Sequence, residues 1–335
     1  MSNCAGWNIR CAKRRPKWLR LDGPVMLLND SPWENEMRGR VMRLSGRKCL
    51  VEAQGKDWQC DVSGRLKNGI RHATSPVVVG DWVDFSPTVE AGQGVIKAVH
   101  PRTTKFSRLA VTARPYEQVV AANLELLVVM VAARNPTLST GFVDRAVVMA
   151  LKGGLEPVVC INKADLDPER QTGDVALLYR RLGYQVFYTS ALNNEGIDQL
   201  GSLLKDRLSL IVGHSGVGKS SLLNRLEPGL DIQTKALMKR HDRGQHTTAA
   251  VQLHALSQGG YVADTPGVKE LQMWQVGRHQ LIDYFTDLAA VATGCHFRNC
   301  IHLHEPSCQV RGAVEAELVA LSRYEGYCRI LQSLD

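Results

Sequence analysis

The chain has 335 residues, of which 44% are hydrophobic and 22% charged, and its formal net charge is +8. A single hydrophobic core rarely grows beyond about 250–300 residues, so this length predicts two or three domains. No stretch approaches the roughly 18 consecutive apolar residues of a membrane-spanning helix, and nine cysteines are too few for a disulfide scaffold. These features exclude an integral membrane protein and a disulfide-rich secreted domain. Because no apolar segment follows the basic N-terminus, we expect no signal peptide, a cytoplasmic location and no membrane partner.

The positive charge is concentrated at the N-terminus. Residues 1–20 carry six basic side chains and no acidic one, so the rest of the chain holds only two of the eight net charges. Three prolines and the absence of hydrophobic periodicity predict a mostly disordered basic arm over residues 1–35. An arm of this kind favours a polyanion such as RNA over a membrane, because it has no apolar face. A solvated tail without a partner is the alternative.

A small β-barrel is predicted after the arm, over residues 36–103. Five short runs with β-like composition alternate with turn residues, at 39–44, 48–53, 58–62, 77–85 and 94–99. The OB-fold is the commonest five-stranded barrel, and an SH3-like barrel would give a similar pattern.

The pattern changes to α/β over residues 104–272. Strands are predicted at 124–131, 157–161, 185–188, 208–212 and 261–263, and helices at 142–152, 175–182 and 219–226. The continuous apolar runs are typical of strands buried on both faces, and the alternation predicts a doubly wound parallel sheet. From about residue 273 to 335 we expect helices interrupted by a cluster of cysteines and histidines.

A phosphate-binding loop is predicted between the strand 208–212 and the helix 219–226. Its residues fit G-x-x-x-x-G-K-S and are Gly213, His214, Ser215, Gly216, Val217, Gly218, Lys219, Ser220 and Ser221. The glycines let backbone N–H groups surround the phosphates, and the helix N-terminus adds positive potential. Lys219 would reach the β- and γ-phosphates, and the Ser220 hydroxyl would bind Mg²⁺.

A guanine-specific motif, N-K-A-D, follows the strand 157–161. Asp165 would accept two N–H bonds from the guanine edge, where adenine has no matching donors, so the site would select GTP over ATP. Asn162 can bond the purine, and the Lys163 stem can lie across the ring. Ser190 and Ala191 follow the strand 185–188 and would offer backbone N–H groups to the guanine oxygen.

A second phosphate-sensing motif, D-T-P-G, follows the strand 261–263. Asp264 would hold Mg²⁺ and the Gly267 N–H would face the γ-phosphate. In an ordinary P-loop GTPase the phosphate loop comes first and N-K-x-D last, whereas here N-K-A-D precedes the phosphate loop. The chain order therefore predicts a circularly permuted GTPase domain, which is possible when the termini of a domain lie close together.

The segment G-Q-H-T-T at residues 244–248 occupies the position of the first nucleotide-sensing loop. Thr247 and Thr248 are both candidates for the Mg²⁺-contacting threonine, and we favour Thr248. Val268 stands where many GTPases carry a water-orienting glutamine, so we expect slow unassisted hydrolysis, of the order of 10⁻⁴–10⁻² s⁻¹. His246 could orient the water instead, and a structural histidine is an equal alternative.

A zinc site is predicted in the C-terminal segment, in the pattern C-x₄-C-x-H-x₅-C. Cys295, Cys300, His302 and Cys308 make a complete tetrahedral set, which argues for one structural zinc. His296 and His304 are close enough to compete as the imidazole ligand.

These motifs together resemble the small-ribosomal-subunit biogenesis GTPases of the RsgA (YjeQ) type, over about residues 36–335. The resemblance implies an N-terminal OB-fold (36–103), a circularly permuted GTPase domain (104–272) and a zinc-binding helical domain (273–335). It implies GTP hydrolysis stimulated by the small ribosomal subunit, a role in late maturation of that subunit, and His302 as the zinc ligand. Ala249 departs from relatives that continue with a third threonine, so the choice between Thr247 and Thr248 stays open.

The function predicted is that of a Mg²⁺-dependent GTPase that binds ribosomal RNA as a monomer. One alternative is a GTP-gated RNA-binding assembly factor in which hydrolysis is incidental. Another is a GTPase acting on a protein or membrane target, which predicts no salt-dependent affinity for RNA and is disfavoured because we find no membrane anchor.

Overall fold

The computed structural model describes residues 36–46, 48–68, 76–110, 115–230, 232, 251–264 and 271–334. The predicted basic arm 1–35, the G-Q-H-T-T segment and residues 265–268 lie outside the described residues. His246, Thr247, Thr248 and Gly267 therefore stay predictions from the sequence. Within the described ranges, no helix is both long and apolar enough to cross a membrane.

The first five described strands form a small barrel. They are β1 (Met37–Ser45), β2 (Lys48–Ala53), β3 (Lys56–Val62), β4 (Trp82–Pro87) and β5 (Gln93–Val99), with a short helix α1 (Gly64–Asn68) after β3. The strand order is β1-β2-β3-β5-β4, β4 returns to pair with β1, and β3 and β5 run parallel. This order is that of an OB-fold, so the OB prediction is confirmed and the SH3-like alternative is wrong.

The fourth barrel strand begins later than the sequence pattern predicts, at Trp82 rather than at residue 77. Gly80 has a φ of +88°, and a Cβ there would lie 2.1 Å from the Ala122 carbonyl oxygen. The Asp81 carboxylate accepts the Val78 N–H at 2.8 Å and closes a turn. The sequence carries a turn signal in Gly80 and Asp81, but the three valines before it resemble a strand and led us to start the strand too early.

An antiparallel hairpin, which we did not predict, follows the barrel. Its strands are β6 (Lys105–Ala110) and β7 (Tyr116–Ala122). The Leu109 N–H donates to the Gln272 carbonyl at 2.9 Å, so the hairpin contacts the chain shortly after the D-T-P-G motif.

The α/β region contains six strands of one mixed sheet. The strands are β8 (Leu126–Ala132), β9 (Glu156–Asn162), β10 (Gln185–Thr189), β11 (Leu208–Val212), β12 (Gln252–Ala255) and β13 (Tyr261–Asp264), in the order β10-β9-β8-β11-β13-β12. All pair in parallel except β12, which is antiparallel to β13. The helices are α2 (Thr140–Gly153), α3 (Gly173–Arg181), α4 (Ile197–Leu204) and α5 (Lys219–Leu226).

The helices cover both faces of this sheet, as predicted. Side chains of α2 and α3 share one hydrophobic cluster with Leu127, Val129 and Val131. Side chains of α4 and α5 share another with the alternate residues of the same strand. Since successive side chains of a strand point to opposite faces, the two clusters lie on opposite sides of the sheet.

The barrel and the α/β sheet form one continuous sheet of eleven strands. The outer strand β12 pairs antiparallel with β1 of the barrel, with Arg43 opposite Gln252. The Tyr261 hydroxyl donates to the Glu52 carboxylate at 3.0 and 3.1 Å, and the Arg40 guanidinium lies 5.8 Å from the Tyr261 ring centroid.

The C-terminal segment contains three helices, α6 (Thr286–Ala292), α7 (Gln309–Glu315) and α8 (Leu321–Gln332). Helix α8 lies against α2, and Tyr327, Ile330 and Leu331 are buried in the same cluster as α2. The segment is less helical than predicted, because residues 271–280 contain no helix and Leu281–Tyr284 form only a 3₁₀ turn.

Candidate functional site

The phosphate loop lies where the sequence predicts, between β11 and α5. Gly216 and Gly218 have φ values of +89° and +97°, a conformation that only glycine adopts readily. A Cβ at Gly218 would lie 2.5 Å from Asn162 Nδ2, and one at Gly213 would lie 2.5 Å from the Met130 carbonyl oxygen. The glycines therefore allow the loop to curl against the ends of β8 and β9.

Lys219 opens helix α5 and turns back over the loop. Its Nζ donates to the Gly213 carbonyl at 2.7 Å and the His214 carbonyl at 3.2 Å. An ammonium held over a glycine-rich loop at the start of a helix suits a polyphosphate. Ser220 and Ser221 follow it in the first turn of α5.

His214 packs its ring against Phe142 of α2, with the centroids 4.2 Å apart. Burial, and to a smaller extent the charge of Lys219, lowers the pKa of His214. A neutral imidazole at this position leaves Lys219 as the cation of the loop.

Asp264 ends β13, directly beside the phosphate loop. It is opposite Ile211 in the parallel pairing of β13 with β11, and its side chain is 7% exposed. The carboxylate of Asp264 and the hydroxyl of Ser220 belong to the oxygen donors that Mg²⁺ prefers. These residues fit a magnesium ion bound together with a nucleotide phosphate.

Asn162 connects the base motif to the phosphate loop. Its side chain is buried, Nδ2 donates to the Val217 carbonyl at 2.8 Å, and Oδ1 accepts the Thr189 hydroxyl at 2.9 Å. The Thr189 oxygen also lies 3.2 Å from the Cys160 sulfur, whose pKa is raised to about 12 by burial. The amide thus joins the ends of β9 and β10 to the loop after β11, a role that we had not predicted.

Asp165 and Ser190 lie side by side at the predicted base site. The Ser190 hydroxyl donates to Asp165 Oδ1 at 2.5 Å and accepts the Asn193 N–H at 3.1 Å. Asp165 is thereby oriented through Oδ1, and no hydrogen bond among the described residues uses its Oδ2. Lys163 has a φ of +59° and its Nζ donates to the Asn135 carbonyl, while Ala191 follows Ser190 at the surface of the same site.

The predicted zinc ligands converge in the loop between α6 and α7. The ligand atoms of Cys295, Cys300, His302 and Cys308 all lie within 4.8 Å of one another. His302 Nδ1 lies 3.3–3.5 Å from the three sulfurs, and the Cys308 sulfur lies 3.8 and 4.0 Å from the other two.

This geometry fits zinc. Tetrahedral zinc, with bonds of about 2.3 Å to sulfur and 2.0–2.1 Å to nitrogen, places sulfurs about 3.8 Å apart and sulfur and nitrogen about 3.6 Å apart. Burial lowers the pKa of His302 and so favours the neutral imidazole that binds a metal. His296 and His304, the competing histidines, are exposed and do not belong to the cluster.

The zinc loop is shaped by residues that we had not singled out. The Glu305 carboxylate accepts backbone N–H groups of Ile301, Leu303 and His304 at 2.7–3.1 Å. Because of these bonds, the pKa of Glu305 falls to about 2 even though burial opposes the shift. A glutamate between ligands in a short Cys/His motif was the available signal, since such loops need an acceptor for their backbone amides.

Comparisons with known proteins agree with this geometry. A family model described as RsgA GTPase matches residues 99–274. The small ribosomal subunit biogenesis GTPase RsgA of Moorella thermoacetica is 37% identical, covering 88% of this chain and 96% of its own length. The structure of YjeQ from Thermotoga maritima is similar with a TM-score of 0.71 and 34% identity, covering 89% of this chain and 98% of that one. The circularly permuted GTPase YloQ has a TM-score of 0.67 and 27% identity, covering 90% of this chain and 96% of that one.

Proposed function

The chain belongs to the RsgA GTPase family, and from this premise we propose that it hydrolyses GTP on the small ribosomal subunit during late maturation of that subunit. The observation that carries the proposal is the hydrogen bond from Asn162 to Val217, which joins the N-K-A-D motif to the phosphate loop. A guanine base and its phosphates can then be bound by one preformed surface at the carboxyl ends of the strands.

The roles proposed for the described residues follow from their positions. Asp165 selects guanine and the Ser190 hydroxyl orients this carboxylate. The Ser190 N–H donates to the Glu195 carbonyl at 2.9 Å, so of the two N–H groups predicted to bond the guanine oxygen we retain that of Ala191. Lys219 and the amides of the phosphate loop hold the β- and γ-phosphates, and Ser220 and Asp264 hold magnesium. Bound magnesium would neutralise charge on these phosphates.

Three further roles rest on the sequence alone. We assign the γ-phosphate contact to the Gly267 N–H, the magnesium contact to Thr248 and the orientation of the attacking water to His246. A water held in line with the γ-phosphate and a compensated phosphate charge are what phosphoryl transfer requires.

The remaining parts of the chain are proposed to bind the partner. We assign the subunit and its ribosomal RNA to the OB barrel (36–103), the zinc domain (273–335) and the basic arm, around the GTPase domain (104–272). One structural zinc bound by Cys295, Cys300, His302 and Cys308 would fix the shape of the C-terminal domain. We propose that the protein acts as a monomer in the cytoplasm.

The test measures steady-state GTP turnover with purified small subunits, with large subunits and without ribosomes. Stimulation by small subunits alone, with no hydrolysis of ATP, is expected. Equal rates in all three mixtures would contradict the proposal. Salt-dependent, GTP-dependent binding to small subunits without stimulation would instead favour the GTP-gated assembly factor.

A further inference from the structure

Helix α8 carries an arginine that is almost completely buried. Arg323 is 1% exposed, and its Nη1 donates to Asp144 Oδ1 of helix α2. Its Nε and Nη2 donate to the two oxygens of Asp287 at 3.1 Å each, and the guanidinium lies 4.4 Å from the Phe285 ring centroid. A guanidinium is rarely buried to this extent unless it is paired.

Asp144 is buried as deeply, with no exposed surface. Its Oδ1 also accepts the Tyr179 hydroxyl at 2.8 Å, and Oδ2 has no hydrogen-bond partner among the described residues. A Cβ at Gly326 would lie 2.1 Å from Oδ2, so α8 passes this carboxylate with no room for a side chain at residue 326. Burial raises the pKa of Asp144, and the charge of Arg323 opposes the shift.

This ion pair has no expected advantage in stability over an apolar core. Apolar residues of similar size often stabilise a core as well as a buried pair does, whereas a buried charge that loses its partner is strongly unfavourable. The pair therefore penalises any arrangement in which α2 and α8 separate. The two helices must move together.

The next turns of α8 hold the zinc loop. The Tyr324 hydroxyl donates to the carbonyl of the zinc ligand His302 at 2.7 Å, and the Tyr327 hydroxyl donates to the Ile301 carbonyl at 3.1 Å. Displacement of the zinc loop would thus be transmitted to α8.

Helix α2 connects the ion pair to the nucleotide site. Phe142, two residues before Asp144, packs against His214 of the phosphate loop. Arg145, the residue after Asp144, donates from Nη1 to the Leu271 carbonyl at 3.3 Å, close after the D-T-P-G motif. Helix α2 therefore contacts both the phosphate loop and the chain that leaves D-T-P-G.

We propose that Asp144 and Arg323 are positioning residues that couple the zinc loop to the phosphate loop through helices α2 and α8. This step rests on the proposed function: docking of the zinc domain on the small subunit would change the position of the phosphate loop through the contacts of α8 and α2. The coupling itself does not depend on the identity of the partner.

The deciding experiment needs no ribosome. Amide hydrogen exchange is measured for the full-length zinc-loaded protein with and without GDP. In the wild type, GDP is expected to slow exchange in α2 and, through the pair, in α8. The double variant Asp144→Asn/Arg323→Met removes both charges of the pair, keeps an acceptor for Tyr179 and leaves Asp287, whose side chain is 17% exposed, to be solvated by water. In this variant, protection of the phosphate loop should remain and that of α8 should disappear. Wild-type exchange in α8 that does not respond to GDP, or an unchanged response in the double variant, would overturn the inference.

Two further variants keep the test decisive if the double variant folds poorly. Tyr179→Phe removes the hydroxyl that lies 2.8 Å from Asp144 Oδ1 and 3.2 Å from the Thr140 carbonyl, both in α2, and it should weaken the response of α8 to GDP. Glu325→Gln is the matched control, because it removes an exposed charge of the same helix that faces Arg329. It should leave the response intact, and equal effects of these two variants would contradict the proposed coupling.

A ribosomal measurement separates this inference from the proposed function. If small subunits stimulate the wild type, the double variant should bind them normally but lose at least about fivefold in stimulated kcat, the lower end of typical allosteric couplings. Equal stimulation of both proteins would overturn the inference. A wild type that is not stimulated would overturn the proposed function, and the exchange experiment would still decide on the pair.

Discussion

At the scale of single residues, the nucleotide site is organised by polar side chains that hold one another in place. Asn162, Thr189 and the Val217 carbonyl form one hydrogen-bonded set, and Ser190 with Asp165 forms another. The sequence identifies these residue types by their motifs. It does not show that the Thr189 hydroxyl bonds the Asn162 amide, because 27 residues separate them along the chain.

Asp165→Asn is expected to weaken GTP binding and shift preference towards xanthosine triphosphate. The amide replaces an acceptor of two guanine N–H bonds with a group that is partly a donor. Loss of charge-assisted bonds of about 1.5–3 kcal/mol corresponds to a roughly tenfold to hundredfold loss of affinity. Titration with both nucleotides measures it, with Glu169→Gln, an exposed carboxylate shortly after the motif, as the control. Unchanged GTP affinity in Asp165→Asn would refute the base site.

Lys152 should make stability depend on pH in the alkaline range. Burial lowers its pKa from the usual 10.5 to about 8, and its Nζ donates to the Trp274 carbonyl. Between these pKa values the unfolded chain holds more protons than the folded one, so the free energy of unfolding contributed by this group rises with pH. Urea unfolding of the wild type and Lys152→Met at pH 7.5 and 9.5 measures the effect. The wild type should gain stability relative to the variant at the higher pH, and a constant difference would contradict the assignment.

At the scale of elements, the sequence predicts those strands and helices whose own residues show a clear hydrophobic pattern. The apolar strands β8 and β11 and the helix α2 are recognisable because periodicity and flanking glycines mark them. The hairpin β6–β7, the helix α4 and the four-residue strand β12 were missed. Strands β6 and β7 are mostly half-buried and so lack a clear apolar pattern, and β12 is short. The spacing of Ile197, Leu200 and Leu204 does fit α4 and was overlooked. The pattern could not show that Asp144 and Arg323 meet, because they lie far apart along the chain.

The zinc loop is an element whose shape depends on one carboxylate. Glu305→Gln should lower zinc affinity by about tenfold and Glu305→Ala by more, within the 10–100-fold range typical of residues that orient metal ligands. The reason is that the backbone around His302 loses its shared acceptor. Competition with a chromogenic chelator measures the affinity. Glu317→Gln, in the loop before α8, is a control that should bind zinc normally, and equal affinities of all three variants and the wild type would contradict the role of Glu305.

At the scale of the whole molecule, the circular permutation and the OB-fold were predicted correctly, and the family relationship supports both. The order of the motifs along the chain indicates the circular permutation, and the spacing of the short strands indicates the OB-fold. The continuous sheet could not be predicted, since it depends on one contact between Arg43 and Gln252, more than 200 residues apart.

Cys300→Ser should lose zinc and disorder the loop 295–308 without unfolding α8. From the sequence alone, a segment of about 60 residues with little core would be expected to unfold without its metal. The structure changes that expectation, because Tyr327, Ile330 and Leu331 are buried in one cluster with α2. Metal analysis and limited proteolysis should show no zinc and cleavage confined to the loop, with GTP affinity retained. Cleavage within α8, or full zinc occupancy, would contradict this prediction.

The pairing of β12 with β1 also determines which fragments of the protein can stay soluble. An edge strand whose N–H and C=O groups are unpaired is a template for aggregation, and here the barrel covers the edge that the GTPase sheet would otherwise expose. Met42 of β1 is buried in the same cluster as the GTPase core, so removing the barrel would uncover apolar surface as well. The GTPase domain therefore needs the barrel to stay soluble, and a fragment that starts after the barrel should self-associate.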